Sequence, residues 1–478
     1  MERKPILLQL LVIVTASFFS LYRLGAWDIM EWDEARNGVN AYQMLQNGDF
    51  VNLYYGEQLD TWNAKPPLFI WMAVLSFKLF GISEFAFRLP SVIAILVFFL
   101  YFFRLVRLKT DEWTAFLSSL ILLGSNSIVA RHMGISGDFD ALLLCFLTIA
   151  SYYFIRAVDL GHRRSIYCTA LFIGLAFYTK GTAALLYLPC YFLYLLLKGK
   201  LRDFTRDKHT WLALLLLVLI ISSWVLLVAM FGKTFNSSFY GSSNAVETML
   251  VHDTLRRLTS DNFGQRPDYA FVFSTLDSKM NMWHYIFFAG LAVGSIYLVR
   301  KSRQVKRIIL DHNNDLIVFS LCIILPLSML LTFATNKHYW YLAPAFPYVA
   351  IVTASTVLYV SSKWKMLGYA FAVFTVFSLC WHFRDLYNLP TRQHEILGKN
   401  SPYFTQTKQV IMLGKPRQHI FLYITWNEKE PVYLNNPHAI PNFKGQVAIL
   451  TKEEATPDVL GKLHKVTWLD DHCIGFIR

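Results

Sequence analysis

Apolar residues in this chain gather into runs long enough to cross about 30 Å of hydrocarbon, with short polar connectors between them. The runs fall at 5–23, 87–106, 113–131, 139–157, 166–179, 182–197, 210–231, 282–299, 315–334, 338–361 and 365–383, and predict a polytopic α-helical membrane protein of about eleven spans. A further run, 66–81 (PPLFIWMAVLSFKLFG), is apolar enough to be a twelfth, and charge placement decides against it. If it does not cross, the basic connectors Arg3-Lys4, Arg104 to Lys109, Arg156 to Arg164, Lys198 to Lys208, Arg300 to Arg307 and Lys363-Lys365 all share one side, as the positive-inside rule requires. The run 66–81 is therefore expected to lie in the interface as a helix.

With a cytoplasmic N-terminus, the outward side receives residues 24–86, the 132–138 turn, the Lys180 turn, the long loop 232–281, the Thr335 to Lys337 turn and everything after 384. In the last hundred residues the apolar runs shorten to strand length (HIFLYI, QVAIL, KVTWL) between turn-rich segments such as LNNPHAIPN. Two domains are expected: a membrane domain over 1–383 and a small soluble α/β domain over 384–478 on the extracytoplasmic side of the cell's inner membrane.

Composition agrees with this reading. At 478 residues, 55% hydrophobic and mean hydropathy +0.38, the chain has more apolar surface than one water-soluble core can hide. The formal charge of +13 sits in short clusters between apolar runs, as topogenic loops do, so no nucleic-acid partner is expected. Cys145, Cys168, Cys190, Cys322 and Cys380 lie inside apolar spans and Cys473 near the terminus, which gives neither a disulfide framework nor a CxxC metal pair. The run Pro5 to Tyr22 follows Arg3 and Lys4 but has no small-residue cleavage site after it, and reads as an uncleaved first span.

The outward segments carry the candidate chemistry. Asp33-Glu34, Lys65, Asp138 with Asp140, Lys180, His252 with Arg257, and Lys337-His338 all stand beside apolar spans on that one side. Charges near lipid are costly and mark a polar cavity. WDEARNGVNAYQML reads as a helix starting near Asp33, where acids are favoured by the helix dipole alone. In the catalytic reading Asp33 accepts or positions a hydroxyl proton and Asp140 supplies a second carboxylate, each shifting the other's pKa. Lys65 precedes Pro66-Pro67, which start the interfacial helix. Lys180 and Lys337 can snorkel from span ends; together with Lys65 and Arg257 they make an anion pocket suited to a lipid-linked phosphate. His252 and His338 show no HxH or HExxH spacing, so hydrogen-bonding roles are expected, and a divalent metal has no support in the sequence.

The string from Asp33 to Ser91, followed by ARHMGISGDFDALLLCFLTIA, YTKGTAALL, HDTLRRLT and TNKHYWYLAPAFPYVAI, resembles GT-C glycosyltransferases of the protein O-mannosyltransferase and lipid A aminoarabinose transferase type over about residues 10–355. The resemblance implies the GT-C fold and an inverting transfer of one sugar from a polyprenyl-phosphate carrier to a lipid A, surface-glycan, lipid-linked-glycan or protein acceptor on the outer face of the membrane. It places the family's first acid on Asp33 with Glu34 beside it, its lysine on Lys65, and its second aspartate on Asp140, with Asp138 as the rival. Lys180, Arg257, Lys337 and His338 fall where the donor phosphate or its entrance is expected, with His252 and Tyr341 in the same cavity. Many relatives have an acid just before the first lysine; Ala64 stands there in this chain. Loop 232–281 is too short for the β-trefoil insert that the protein-modifying type often carries.

A transporter of lipid-linked anions would be expected to show inverted repeats or polar half-helices at mid-membrane, and the chain shows neither. A scaffold would leave the membrane-flanking carboxylates unexplained.

Overall fold

The computed structural model describes residues 3–237, 241–256, 268–398, 401–414, 417–434, 436–469 and 471–478. The principal helices, in chain order, are α1 (Arg3–Leu21), α2 (Asp33–Asn47), α3 (Leu68–Phe80), α4 (Glu84–Arg107), α5 (Glu112–Leu123), α6 (Phe139–Val158), α7 (Ser165–Lys180), α8 (Tyr187–Leu197), α9 (Lys208–Phe231), α10 (Phe271–Met280), α11 (Trp283–Arg300), α12 (Val305–Leu310), α13 (Asp315–Phe333), α14 (Phe346–Lys363) and α15 (Lys365–Tyr387). Among the described residues, eight helical runs are long and apolar enough to cross a membrane.

Eight runs stand where eleven spans are expected for three local reasons, and only the second shortens an expected span. The expected spans 166–179 and 182–197 form one run, Ser165–Leu197. Within it the chain leaves Asp159 along α7, reaches Asp140 at Lys180, and comes back along α8, so that Lys200 again meets Asp159 at 2.6 Å. The reversal is a 3₁₀ turn, Gly181–Leu186, opened by Gly181 at φ +59°, a backbone state that glycine tolerates best. The expected span 113–131 is helical only over α5, about 18 Å. Gly-Ser-Asn-Ser then breaks it: Ser125 Oγ donates to the Leu122 carbonyl at 3.0 Å, and Asn126 turns to the side chains of Asp385 and His382. The freed carbonyl of Gly124 accepts from Ser378 Oγ at 2.6 Å and Asn281 Nδ2 at 3.3 Å. Irregular backbone is tolerated at this depth because protein surrounds it. The third case, 282–299, is present as α11, whose apolar length is trimmed by His284 and Arg300.

Helix α3 covers most of the run 66–81. Its 13 residues span about 20 Å, too little to cross. One side packs against α4, while Leu75, Leu79 and Phe80 remain exposed.

Helix α15 continues to Tyr387, slightly past the expected boundary at 384. Beyond it lie β1 (Gln409–Leu413), α16 (Gln418–Trp426), β2 (Glu430–Leu434), β3 (Val447–Thr451), β4 (Leu463–Leu469) and β5 (His472–Ile477). The sheet order is β2-β1-β3-β5-β4, with β1 parallel to both neighbours and β5 antiparallel to both of its own. HIFLYI, expected as a strand, is helical in α16. It is buried on nearly every side, and an apolar run that short carries no period to separate strand from helix. Alternation along β1 and β3 divides the sheet: Val410, Met412, Val447 and Ile449 join the main core, while Ile411, Leu413, Ala448 and Leu450 form a second one with Ile440 and Val459.

Candidate active site

Helix α2 opens after Trp32, which is held at φ +72°. The two acids of its first turn then diverge. Glu34 is fully buried, and its carboxylate accepts from Met30 N (2.8 Å), Gly137 N (2.9 Å), Arg88 Nε (2.7 Å) and Arg88 Nη2 (3.2 Å). The other guanidinium hydrogens reach the carbonyls of Leu24, Trp27 and Asp28, each at 3.0 Å. A buried ion pair is tolerable when its lone pairs and protons are used this fully. Glu34, expected among the catalytic groups, is therefore turned into a brace that ties α2 to α4 and to the loop before α6.

Asp33 is only half-buried, and a carboxylate oxygen of Asp33, one of Asp138 and a ring nitrogen of His132 lie within 4.8 Å of one another. Asp138 caps α6 through Oδ1 to Phe139 N at 2.7 Å and meets His132 Nδ1 through Oδ2 at 3.1 Å. The His132 ring lies flat on Trp340, centroids 4.0 Å apart. Burial works against the imidazolium, but the hydrogen bond to Asp138 and the charges of Asp138, Asp33 and Asp140 outweigh it and raise the pKa of His132. Two carboxylates and an imidazole at this spacing can hold a divalent cation. The acid brought against Asp33 is thus Asp138. Asp140, expected in that place, takes the Lys180 ammonium at 2.6 Å on both oxygens.

Asp140 and Lys180 face a cavity of about 180 Å³ whose remaining charged wall is Lys65. Tyr341 and Trp340 close one side, and Leu143, Leu186, Leu327, Leu330 and Leu331 supply an apolar wall. Lys65 Nζ donates to Asn63 Oδ1 at 3.2 Å and stands 5.1 Å over the Phe139 ring. Asn63 donates in turn to Asn37 (3.1 Å) and Asn40 (2.9 Å) on α2, and Asn40 to Asp60 (2.9 Å), which Arg36 pairs at 2.6 Å. This amide ladder fixes Lys65 relative to the helix that carries Asp33. With two ammonium groups and one carboxylate, the cavity has net positive charge at one end and hydrocarbon along its wall.

Other expected members sit elsewhere. Lys337 donates to the carbonyls of Asp268 (2.8 Å) and Thr332 (3.1 Å), so the structure turns it toward backbone and away from the expected phosphate. His338 stacks on Trp340 with centroids 4.5 Å apart. Arg257 and the side chain of His252 lie outside the described residues. Sequence reasoning missed His132, Trp340 and the Asn37-Asn40-Asn63 ladder; the only signal for His132 and the asparagines was membership in the outward segments, and Trp340 fell inside the expected span 338–361.

The C-terminal domain completes the site's frame. Trp426 Nε1 donates to Gly38 O at 3.3 Å, and a Cβ at Gly38 would stand 2.8 Å from Leu422 Cδ1 and 3.0 Å from Trp426 Cζ2, so α16 lies directly on α2. Trp426 meets Phe77 and Phe87 edge-on, and Phe87 fills the space a Cβ on Gly137 would need, one residue before Asp138. His394 Nδ1 lies 2.7 Å from Glu84, and Arg417 reaches Glu31 at 2.9 Å.

A family model described as dolichyl-phosphate-mannose-protein mannosyltransferase matches residues 64–237. An uncharacterised protein of Aquifex aeolicus (strain VF5) is 31% identical over 236 residues, 48% of this chain and 52% of that protein. An undecaprenyl phosphate-alpha-4-amino-4-deoxy-L-arabinose arabinosyl transferase of Aeromonas hydrophila is 26% identical over 350 residues, 71% of this chain and 58% of that protein. The chain therefore spans only a little over half the length of these curated relatives. The crystal structure of ArnT from Cupriavidus metallidurans bound to undecaprenyl phosphate superposes with a TM-score of 0.69 at 13% identity, over 99% of this chain and 98% of that one. That likeness gives the fold.

Proposed function

We propose that this chain, which has the GT-C fold, is a member of the protein mannosyltransferase and ArnT-like group and an inverting glycosyltransferase that moves one sugar from a polyprenyl-phosphate carrier to an acceptor on the extracytoplasmic face of the inner membrane. The observation that carries the reading is the cavity in which Lys65 and Lys180 stand beside an apolar wall, next to the Asp33, His132 and Asp138 cluster. The lysines suit a phosphate and the leucines its lipid tail. In this reading Asp33 accepts the proton of the acceptor hydroxyl, and that oxygen attacks the anomeric carbon from the side opposite the phosphate. The bond from that carbon to the phosphate oxygen breaks, and the lysines stabilise the charge left on the departing phosphate. His132 keeps Asp138 and Asp33 together, and Asp140 holds Lys180 in place.

The relatives' names support both an undecaprenyl-phosphate aminoarabinose and a polyprenyl-phosphate mannose as donor. Lipid A, a surface glycan or a lipid-linked glycan is the acceptor class we favour, and a protein hydroxyl is the alternative. The purified protein should release undecaprenyl phosphate from an undecaprenyl-phosphate sugar when acceptor is supplied, with the glycosylated product identified by mass spectrometry. Movement of the intact lipid-linked sugar across vesicles without cleavage would replace the transferase reading with a transporter.

A further inference from the structure

A second charged cavity lies at the opposite end of the helical body. Arg303, Lys306 and Arg307 line it with Leu310 and Asp311, in an open volume of about 550 Å³. The segment is the connector between α11 and α13, two apolar helices, which sets it at the level of lipid headgroups. Three cations packed inside this end are paired, Lys109 and Lys198 with Asp315 and Lys200 with Asp159. Arg303, Lys306 and Arg307 make no ion pair among the described residues. Like charges three and four residues apart on one turn repel each other, and an anion between them removes that cost. The platform is tied down from behind, since Lys198 Nζ donates to the carbonyls of Ile309 (2.8 Å) and Asp311 (3.4 Å), and Asn314 Nδ2 to that of Ile308 (3.0 Å).

We infer that this cavity binds the phosphodiester headgroup of a membrane lipid, with Arg303, Lys306 and Arg307 around the phosphate and Asp311 against a headgroup ammonium. The carboxylate at the rim separates the site from a plain basic patch, because it gives a phosphoethanolamine headgroup a partner at each end while three cations still favour any phosphodiester. The site is independent of the transfer chemistry at the other end of the molecule.

Full-length protein in detergent tests it, with short-chain phosphatidylethanolamine, phosphatidylglycerol and phosphatidylcholine titrated by native mass spectrometry and glycerophosphoethanolamine as the soluble headgroup. The wild type should bind the ethanolamine and glycerol lipids. The triple variant Arg303→Gln, Lys306→Gln, Arg307→Gln should bind both at least about tenfold more weakly, since one charge-assisted hydrogen bond alone is worth about that much. Asp311→Asn should weaken the ethanolamine lipid alone. Thermal melting confirms that the variants are folded. Unchanged affinity in the triple variant overturns the site, and binding of the soluble headgroup as tight as that of the lipid overturns its assignment to the membrane.

Discussion

The carboxylates of Asp315 and Asp159, at one end of the helical body, are fully buried and shared among Lys109, Lys198 and Lys200, with Tyr194 donating to Asp159 at 2.7 Å. Every charge in that knot answers another, and it closes the ends of α6, α8 and α13 together. At the other end Asp33, Asp138 and His132 lie beside a cavity that Lys65, Lys180 and Asp140 line. Similar residue types do two different jobs, and the difference is whether the charges face each other alone or face space for a ligand as well. Glu34 and Asp33 show how sharp the division is, since adjacent residues fall on opposite sides of it.

The comparison breaks most readily at Asp33. Asp33→Asn should cut turnover by about 10² to 10⁴-fold, the usual worth of a general base, while leaving the melting temperature unchanged; a loss of folding in the same variant would erase the contrast between the two ends. Asp315→Asn is its mirror image. Leaving two buried ammonium groups short of a partner should cost about 3–5 kcal/mol of stability, read by denaturation in detergent, with turnover per folded molecule unchanged.

A smaller effect is expected at Gly38, where Gly38→Ala overpacks the contact with Leu422 and Trp426. About 1–3 kcal/mol should be lost, and turnover should fall with it because α2 carries Asp33; a fall in stability alone would detach the C-terminal domain from the site. The smallest concerns His394. Its hydrogen bond to Glu84 raises its pKa against an opposing effect of burial. Stability from this pair is complete below the unfolded-state value near 6.5 and is lost as pH rises through the raised folded value. The half-exposed pair contributes at most about 1 kcal/mol. Hydrogen-exchange protection over residues 418–426, taken relative to the intrinsic rate at each pH, should therefore fall above neutral pH, and a pH-independent protection would assign the docking to Trp426 and Leu422 without it.

How far the sequence reveals this arrangement depends on the scale of the feature. Asp33, Lys65 and Lys180 are legible because a charge beside an apolar run stands out, and the sense of 66–81 follows from loop charges alone. The choice between Asp138 and Asp140 is not legible. Asp138 is the extended residue that caps α6 and Asp140 stands in its first turn, so one meets His132 and the other Lys180, and only the packed placement of α6 says which. His132 is hidden by the break after α5, because a span predicted to run to 131 leaves no room for the buried turn that presents its ring to Trp340. The divergence of Glu34 from Asp33 depends on Arg88, fifty-four residues downstream, which no local pattern connects to it.

The contact of Trp426 and Leu422 with Gly38 also sets an order in time. Helix α2 is made well before α16, so a nascent chain holds Asp33, Lys65, Asp140 and Lys180 before it owns the element packed on the helix carrying the first of them. The packing around α2 is therefore completed late, when the segment beyond residue 387 folds back onto a helix made long before it.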